Sequence, residues 1–217
     1  MLILAFGDVH MQPGRASEIP EIRRADCVVV TGDLTIRGGE KEIRMALEPI
    51  LALAPRVYAQ IGNMDTDRAH AWLCEKGINL HGKGVRLGDV GLFGVGGSGP
   101  TPFGTPSEFS EGQIAAWLRQ AYAEVQGAPF RVLISHTPPF GTAVDQVRGG
   151  RHAGSRSVRE FLETWPCDVC VCGHIHEAAG TDRLGGCLVL NPGPLPSGGY
   201  VRIECDGKAL KASLEKL

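Results

Sequence analysis

No apolar run in this sequence approaches the ~20 residues of a membrane-crossing helix. The opening MLILAF has no basic segment ahead of it and is too short for the core of a secretory leader. Charge of one sign is also lacking: 22 Lys and Arg stand against 24 Asp and Glu, a net charge of -2. That removes the long-range attraction on which a general nucleic-acid or anionic-membrane binder depends. Neither a basic stripe nor an aromatic platform is present to follow a long nucleic-acid backbone. A disulfide framework is missing as well, since the seven cysteines are odd in number and lie in or beside apolar runs, as reduced thiols do. Cys167-x-x-Cys170-x-Cys172 has no second pair and lies along an expected strand, so a thiolate zinc site is not expected. No repeat, low-complexity tract or linker interrupts the 217 residues. One cytoplasmic domain over 1–217, with no membrane partner, is the expectation.

What is present is a series of short apolar runs, each stopping at Gly, Ser or Pro beside a polar group. LILAF (2–6), CVVV (27–30), VYAQI (57–61), VLI (132–134) and VCVC (169–172) are rich in the aliphatic and β-branched residues of buried strands. Helical segments are expected at about 39–53 and 66–76, so the first half alternates strand and helix. Capping-box spacings at Ser110-x-x-Gln113 and Ser157-x-x-Glu160 predict two later helices. VRLGDVGLFGVGG (85–97) reads as a hairpin, and the C-terminal part as an antiparallel meander closed at Asp206-Gly207. The expected fold class is α/β: two mixed sheets face to face with helices outside.

The runs end in Asp8-Val9-His10, Gly32-Asp33, Gly62-Asn63, Ser135-His136 and Gly173-His174-Ile175-His176. Strand side chains repeat every second residue, so Asp8 and His10 share a side, as do His174 and His176. Any one pair is explained as a turn cap or a surface histidine. Five strand ends carrying such groups, with four of the seven histidines among them, point instead to convergent metal ligands. Carboxylates, an amide oxygen and neutral imidazoles suit Mn, Fe, Zn, Ni or Co rather than Ca. Two such ions about 3.5–4 Å apart can clamp a phosphoryl group and supply a hydroxide nucleophile at neutral pH.

The ordered set Asp8-x-His10, Gly32-Asp33, Gly62-Asn63-x-Asp65, His136 and Gly173-His174-x-His176 resembles the calcineurin-like metallophosphoesterase superfamily, and the likeness runs to about Pro194. The resemblance implies a four-layer α/β/β/α sandwich with two divalent transition-metal ions, manganese first among them, at one edge of the sheets. One ion would lie on Asp8, His10 and His176 and the other on Asn63, His136 and His174, with Asp33 bridging. It further implies attack on phosphorus by a bridging hydroxide, Asp33 and Asn63 lying at the reacting centre and Asp65 supporting them.

The departure is Met64, where the family places a proton-donating histidine. A thioether carries no proton, and losing acid assistance costs most with poor leaving groups. A phosphodiester is therefore expected over an alkyl phosphomonoester. His152, in the stretch RGGRHAGSRS with Arg148, Arg151 and Arg156, is a candidate stand-in for the missing imidazole, although a solvated loop accounts for it equally. The Gly- and Pro-rich loop 96–110 is a candidate for shaping access to the site. His70 and His81 read as ordinary helix and loop residues. The expected partner is a small phosphate ester; composition leaves a homo-oligomer open. The alternative reading is a catalytically weak or silent scaffold of this fold that binds a protein, with Met64 marking lost chemistry.

Overall fold

Alternation with two apolar faces is what places these strands between layers. In β1 (Leu2–Phe6), Leu4 and Phe6 join a core under the first two helices, while Ile3 and Ala5 turn the other way into a core between two sheets. β2 (Cys27–Val30) repeats the division, Val28 and Val30 on one side and Cys27 and Val29 on the other. Each fully buried aliphatic side chain contributes about 1.5–3 kcal/mol, so neither face tolerates a one-residue register slip. The computed structural model describes residues 1–217.

The first sheet has five strands in the order β11 (Leu210–Lys216), β10 (Gly199–Cys205), β1, β2, β3 (Val57–Ala59). β1 runs parallel to β2 and antiparallel to β10, with Ile3 opposite Cys27 and Ile203. The second sheet has six, in the order β4 (Gly84–Leu87), β5 (Val90–Val95), β6 (Phe130–Ser135), β7 (Val169–Val171), β9 (Cys187–Asn191), β8 (Gly180–Leu184). α1 (Glu40–Leu51) and α2 (Asp67–Glu75) cover the first sheet. α3 (Glu111–Ala123) and α4 (Arg156–Thr164) cover the second. The four-layer α/β/β/α sandwich of two mixed sheets is the fold the chain adopts.

Two local expectations are corrected. The C-terminal strands do not form one meander: β8 and β9 pair in the second sheet, whereas β10 and β11 pair in the first. The turn Asn191–Pro194 makes the transfer, with Gly193 at φ 69° and the Asn191 carboxamide accepting from the Gly193 amide at 2.9 Å and donating to Ile175 O at 2.9 Å. Secondly, α4 is capped by Ser155, whose Oγ accepts from Val158 N at 3.2 Å. Ser157 instead lies within the helix and donates to the Glu111 carbonyl. Ser110 does cap α3, with Gln113 completing the reciprocal pair. No helix is long and apolar enough to cross a membrane, and all seven cysteines are free.

Candidate active site

In an open α/β sheet the loops beyond the carboxyl ends of parallel strands form the crevice, and here both sheets deliver theirs to one edge. The loops after β1 and β2 run side by side, joined by Asp8 N to Gly32 O at 2.9 Å, His10 N to Asp33 O at 2.9 Å and Met11 N to Leu34 O at 3.1 Å. Asp65, fully buried after β3, ties the third loop in: its carboxylate accepts from Gly62 N (2.8 Å), Leu34 N (3.1 Å), Thr35 N (2.7 Å) and Thr35 Oγ1 (2.8 Å). Close approach explains the glycines of these motifs. A Cβ at Gly62 would overlap the Asp33 carboxylate and the His136 ring, and one at Gly173 would overlap Asp8.

The side chains this produces fall into two facing groups. In the first, His10 Nε2 lies 3.2 Å from His176 Nε2, and His176 Nε2 lies 3.3 Å from Asp8 Oδ1. In the second, His136 Nε2 lies 3.0 Å from Asn63 Oδ1, and the His174 ring is centred 5.2 Å from that of His136. Asp33 stands between them, with Oδ2 3.7 Å from His10 Nε2 and Oδ1 3.4 Å from His136 Nε2. All seven expected ligand residues therefore meet at one edge. The backbone carries a cost for this. Asp8 (φ 49°), His10 (44°), Asp33 (49°) and His174 (67°) are four of only seven non-glycine residues with positive φ, each costing about 1–3 kcal/mol. The strain is concentrated on these residues rather than spread among turns.

The donor set fits divalent ions. His136 Nδ1 lies 3.3 Å from Thr31 O, a contact that fixes the tautomer with Nε2 facing the site, as ligating imidazoles require. Nε2 then meets Asn63 Oδ1 and Asp33 Oδ1, and in the first group two imidazole nitrogens face each other. Lone pairs at such distances need a proton or a cation between them. Burial alone would lower the His136 pKa, but the Asp33 carboxylate outweighs it and holds the imidazole at about 9. Burial would raise Asp33, yet His136, His10 and the Met64 amide bring it down to about 2. A proton on His136 thus supplies the same positive charge that an ion would bring. Donor atoms of Asp8, His10 and His176 lie within 4.8 Å of one another, as do those of Asp8, Asp33 and His136.

A model of calcineurin-like phosphoesterases matches residues 1–178. The chain belongs to that family. The uncharacterized protein MJ1162 of Methanocaldococcus jannaschii is 32% identical over 201 residues, covering 89% of this chain and 88% of the relative. Among solved structures, a dimetal phosphatase from Danio rerio superposes with a TM-score of 0.72 at 12% identity, over 100% of this chain and 96% of that one. The protein TT1561 of Thermus thermophilus superposes with the same TM-score at 17% identity, over 98% and 97%. At those identities the likeness is one of fold. Hydrolysis of phosphoric esters and the binding of divalent metals characterise calcineurin-like phosphoesterases, and the candidate ligand groups of this member are in place for the latter.

Around the two groups opens a cleft of about 1110 Å³ whose walls include Arg37, Met64, Phe103, Arg148 and Arg151. Met64 is half-buried at its edge; its amide donates to Asp33 Oδ1 at 2.8 Å and its carbonyl accepts from Arg37 N at 2.8 Å. The loop 96–110 does border the site. His152 does not join the ligand groups: its Nδ1 lies 2.6 Å from Asp145 Oδ1, and the cleft wall is made by its neighbours Arg151, Ala153 and Gly154. Sequence reasoning passed over Asp145, a fully buried carboxylate that also accepts from the Gly141, Thr142 and Gly154 amides. It passed over Thr105 and Glu108 too. Asn63 Nδ2 donates to Thr105 Oγ1 at 3.0 Å, and Thr105 Oγ1 donates to Glu108 Oε1 at 2.6 Å. Only the Thr-x-x-Glu spacing could have signalled this pair.

Proposed function

We propose that this chain is a dinuclear metal-dependent phosphoesterase that prefers phosphodiesters. The observation that carries the reading is Asp33, whose two carboxylate oxygens face the two ligand groups separately. In this reading Asp8, His10 and His176 would hold one ion and Asn63, His136 and His174 the other, with Asp33 available to both; manganese is the first choice, with Fe, Zn, Ni and Co suited by the same donors. When bound, the ions would polarise the phosphoryl oxygens and lower the pKa of water at the site. The residues of the chain determine the rest. Asn63 contributes a neutral oxygen, which limits negative charge where an anionic ester must approach. Arg37, Arg148 and Arg151 line the cleft and offer guanidinium donors to phosphate oxygens not engaged at the centre. The strained loops hold the ligands in place before substrate arrives, so no reorganisation is needed at the moment of reaction.

Met64 lines the cleft where an imidazole would protonate a departing oxygen. The chain has no acid there, so esters whose leaving group departs without protonation are favoured. His152 is assigned no proton transfer, because its Nδ1 is engaged by Asp145 and its neighbours, not its ring, line the cleft. The free thiols agree with a reducing, cytoplasmic setting. The test is to strip the protein with chelator, reload it with Mn, Ni, Zn or Fe, and compare p-nitrophenyl phosphate, bis-p-nitrophenyl phosphate and 2′,3′-cyclic nucleotides. Faster diester hydrolysis is expected. Two bound ions with no turnover of any substrate would mean a scaffold, and a strong monoester preference would refute the argument from Met64.

A further inference from the structure

Five large hydrophobic side chains are exposed on this protein: Met1, Ile36, Met45, Phe103 and Leu217. Phe103 is the most exposed, at 78%, and it and Ile36 (58%) both line the cleft, where Met64 joins them. Scattered apolar residues on a surface need no explanation, but a cluster facing a cleft does. The ring is also not at the end of a loose loop. Arg37 donates to Phe103 O at 3.2 Å and Gly104 O at 3.0 Å, and Phe103 N donates to Thr101 Oγ1 at 3.2 Å. Thr101 and Thr105 then both donate to Glu108 Oε1, at 2.5 and 2.6 Å. The chain thus fixes the backbone beneath an aromatic ring that lines the cleft and stays exposed to water, with none of the stacked or edge-on aromatic partners that Phe93, Phe109 and Phe161 have.

Resting on the phosphoesterase reading, we infer that the substrate carries a planar aromatic ring that stacks on Phe103 while its phosphate lies at the Asp33 cluster. Size supports this: a cleft of about 1110 Å³ lies just above the range of about 300–1,000 Å³ that accommodates whole organic ligands, far more than a phosphate fills. Chemistry selects the ring. An exposed phenyl face matches a π-system, which gains both dispersion and quadrupole attraction, and Ile36 and Met64 line the same cleft and supply apolar edges. Arg148 and Arg151 line the same cleft and neither is ion-paired to a carboxylate, leaving donors for further oxygens of an anionic substrate. The class of compound with these parts is a nucleoside phosphate ester. Met64 then has a second role, as part of the wall beside this ring.

Calorimetric titration of the Mn-loaded protein with two phosphonates tests the inference, since their P–C bond is not hydrolysed: adenosine 5′-phosphonate and the ribose 5-phosphonate that lacks the base. The adenosine probe should bind about tenfold more tightly, equivalent to about 1.4 kcal/mol. Phe103→Ala should reduce that advantage to about threefold or less without weakening the ribose probe, and Phe103→Trp should retain it. Equal affinities in the wild type, an advantage that survives Phe103→Ala, or hexyl phosphonate binding as tightly as the adenosine probe would each overturn the stacking role. Failure of both sugar probes to bind would refute the phosphoesterase reading and this inference with it, whereas ribose binding alone refutes only the inference. Light scattering adds one further outcome: a wild-type dimer that Phe103→Ala dissociates would make the patch a self-association surface and overturn the assignment.

Discussion

Replacing Thr105 by Val removes one hydroxyl and keeps the shape of the side chain, so its effect isolates what that hydroxyl does. The hydroxyl accepts from Asn63 Nδ2 at 3.0 Å and donates to Glu108 Oε1 at 2.6 Å. Burial would raise the Glu108 pKa, but the Thr101 and Thr105 hydroxyls and the Thr105 amide together outweigh it and hold it down to about 2, so the second bond is to an ionised acceptor. The first bond has a net worth of about 1 kcal/mol, and leaving the Asn63 donor buried without a partner costs about 1–3 kcal/mol. Glu108 keeps Thr101 Oγ1 and the Thr105 amide and is only half-buried, so its loss adds little. A destabilisation of about 1–2 kcal/mol follows, which for a chain of this size lowers the midpoint by about 2–4 °C per kcal/mol. The effect on metal should be larger than on stability. The Nδ2 bond holds the nitrogen end of the Asn63 carboxamide away from the cluster; without it the only side-chain contact left to orient the amide is that of Oδ1 with His136 Nε2, and a cation at the site displaces the proton on which that contact depends. Removal of such an orienting partner typically costs about 10–100-fold in metal affinity. Mn2+ titration followed by electron paramagnetic resonance should show one site weakened by that factor and the other unchanged in Thr105→Val, and both preserved in Thr105→Ser. Two wild-type sites in the valine variant would refute the idea that this hydroxyl orients Asn63.

Asp33→Asn should weaken both ion sites together and abolish turnover; metal content and activity that both survive would sink the bridging assignment. Met64→His should raise monoesterase relative to diesterase activity by about 10²-fold or more if the ring reaches the leaving oxygen, the scale of general acid catalysis, and an unchanged ratio would confine the position to packing. In the chelated protein His136 is held up at about 9 by Asp33, so the stability its protonation contributes is fully present below about pH 6.5 and is lost as pH rises through 9. Asp33, held near 2, contributes above about pH 3.9 and loses that contribution as pH falls through 2. The melting temperature without metal should therefore decline between pH 7 and 9.5. Metal uptake at pH 7.5 should also release a proton, read as a binding heat that differs between buffers of different ionisation enthalpy. Identical heats would show that His136 was already neutral.

The motifs were legible because they obey two short rules: apolar residues that alternate into two cores, and a ligand-type polar residue two to four positions past each run. Asp8, His10, Asp33, His136 and His176 needed nothing more to be found. Membership of a sheet was not legible at β10, because GYVRIEC is as apolar and as alternating as a strand of either sheet, and only the Asn191–Pro194 crossing decides the matter. The left-handed backbone of Asp8, His10, Asp33 and His174 leaves no mark on composition; the neighbouring loops impose it. Long-range partners were hidden for the same reason. Thr105 stands 42 residues from Asn63, in a stretch whose Gly and Pro content reads as a turn. His152 shows the reverse case: the residue was conspicuous among arginines and glycines, while its partner Asp145, seven positions earlier, was not.

The position of β10 has a consequence for how the protein is made. β1 is synthesised before its second neighbour in the sheet: it carries Asp8 and His10 at its end, yet β10 follows only at residues 199–205. Until then one edge of β1 is unpaired, an open invitation to another chain. Shortening the polypeptide after residue 178 would keep every candidate ligand and the whole segment matched by the family model, and would still remove β8 to β11, including the strand that shields β1. The product should be recovered as aggregate, its ligand residues all present and the sheet that aims two of them left incomplete.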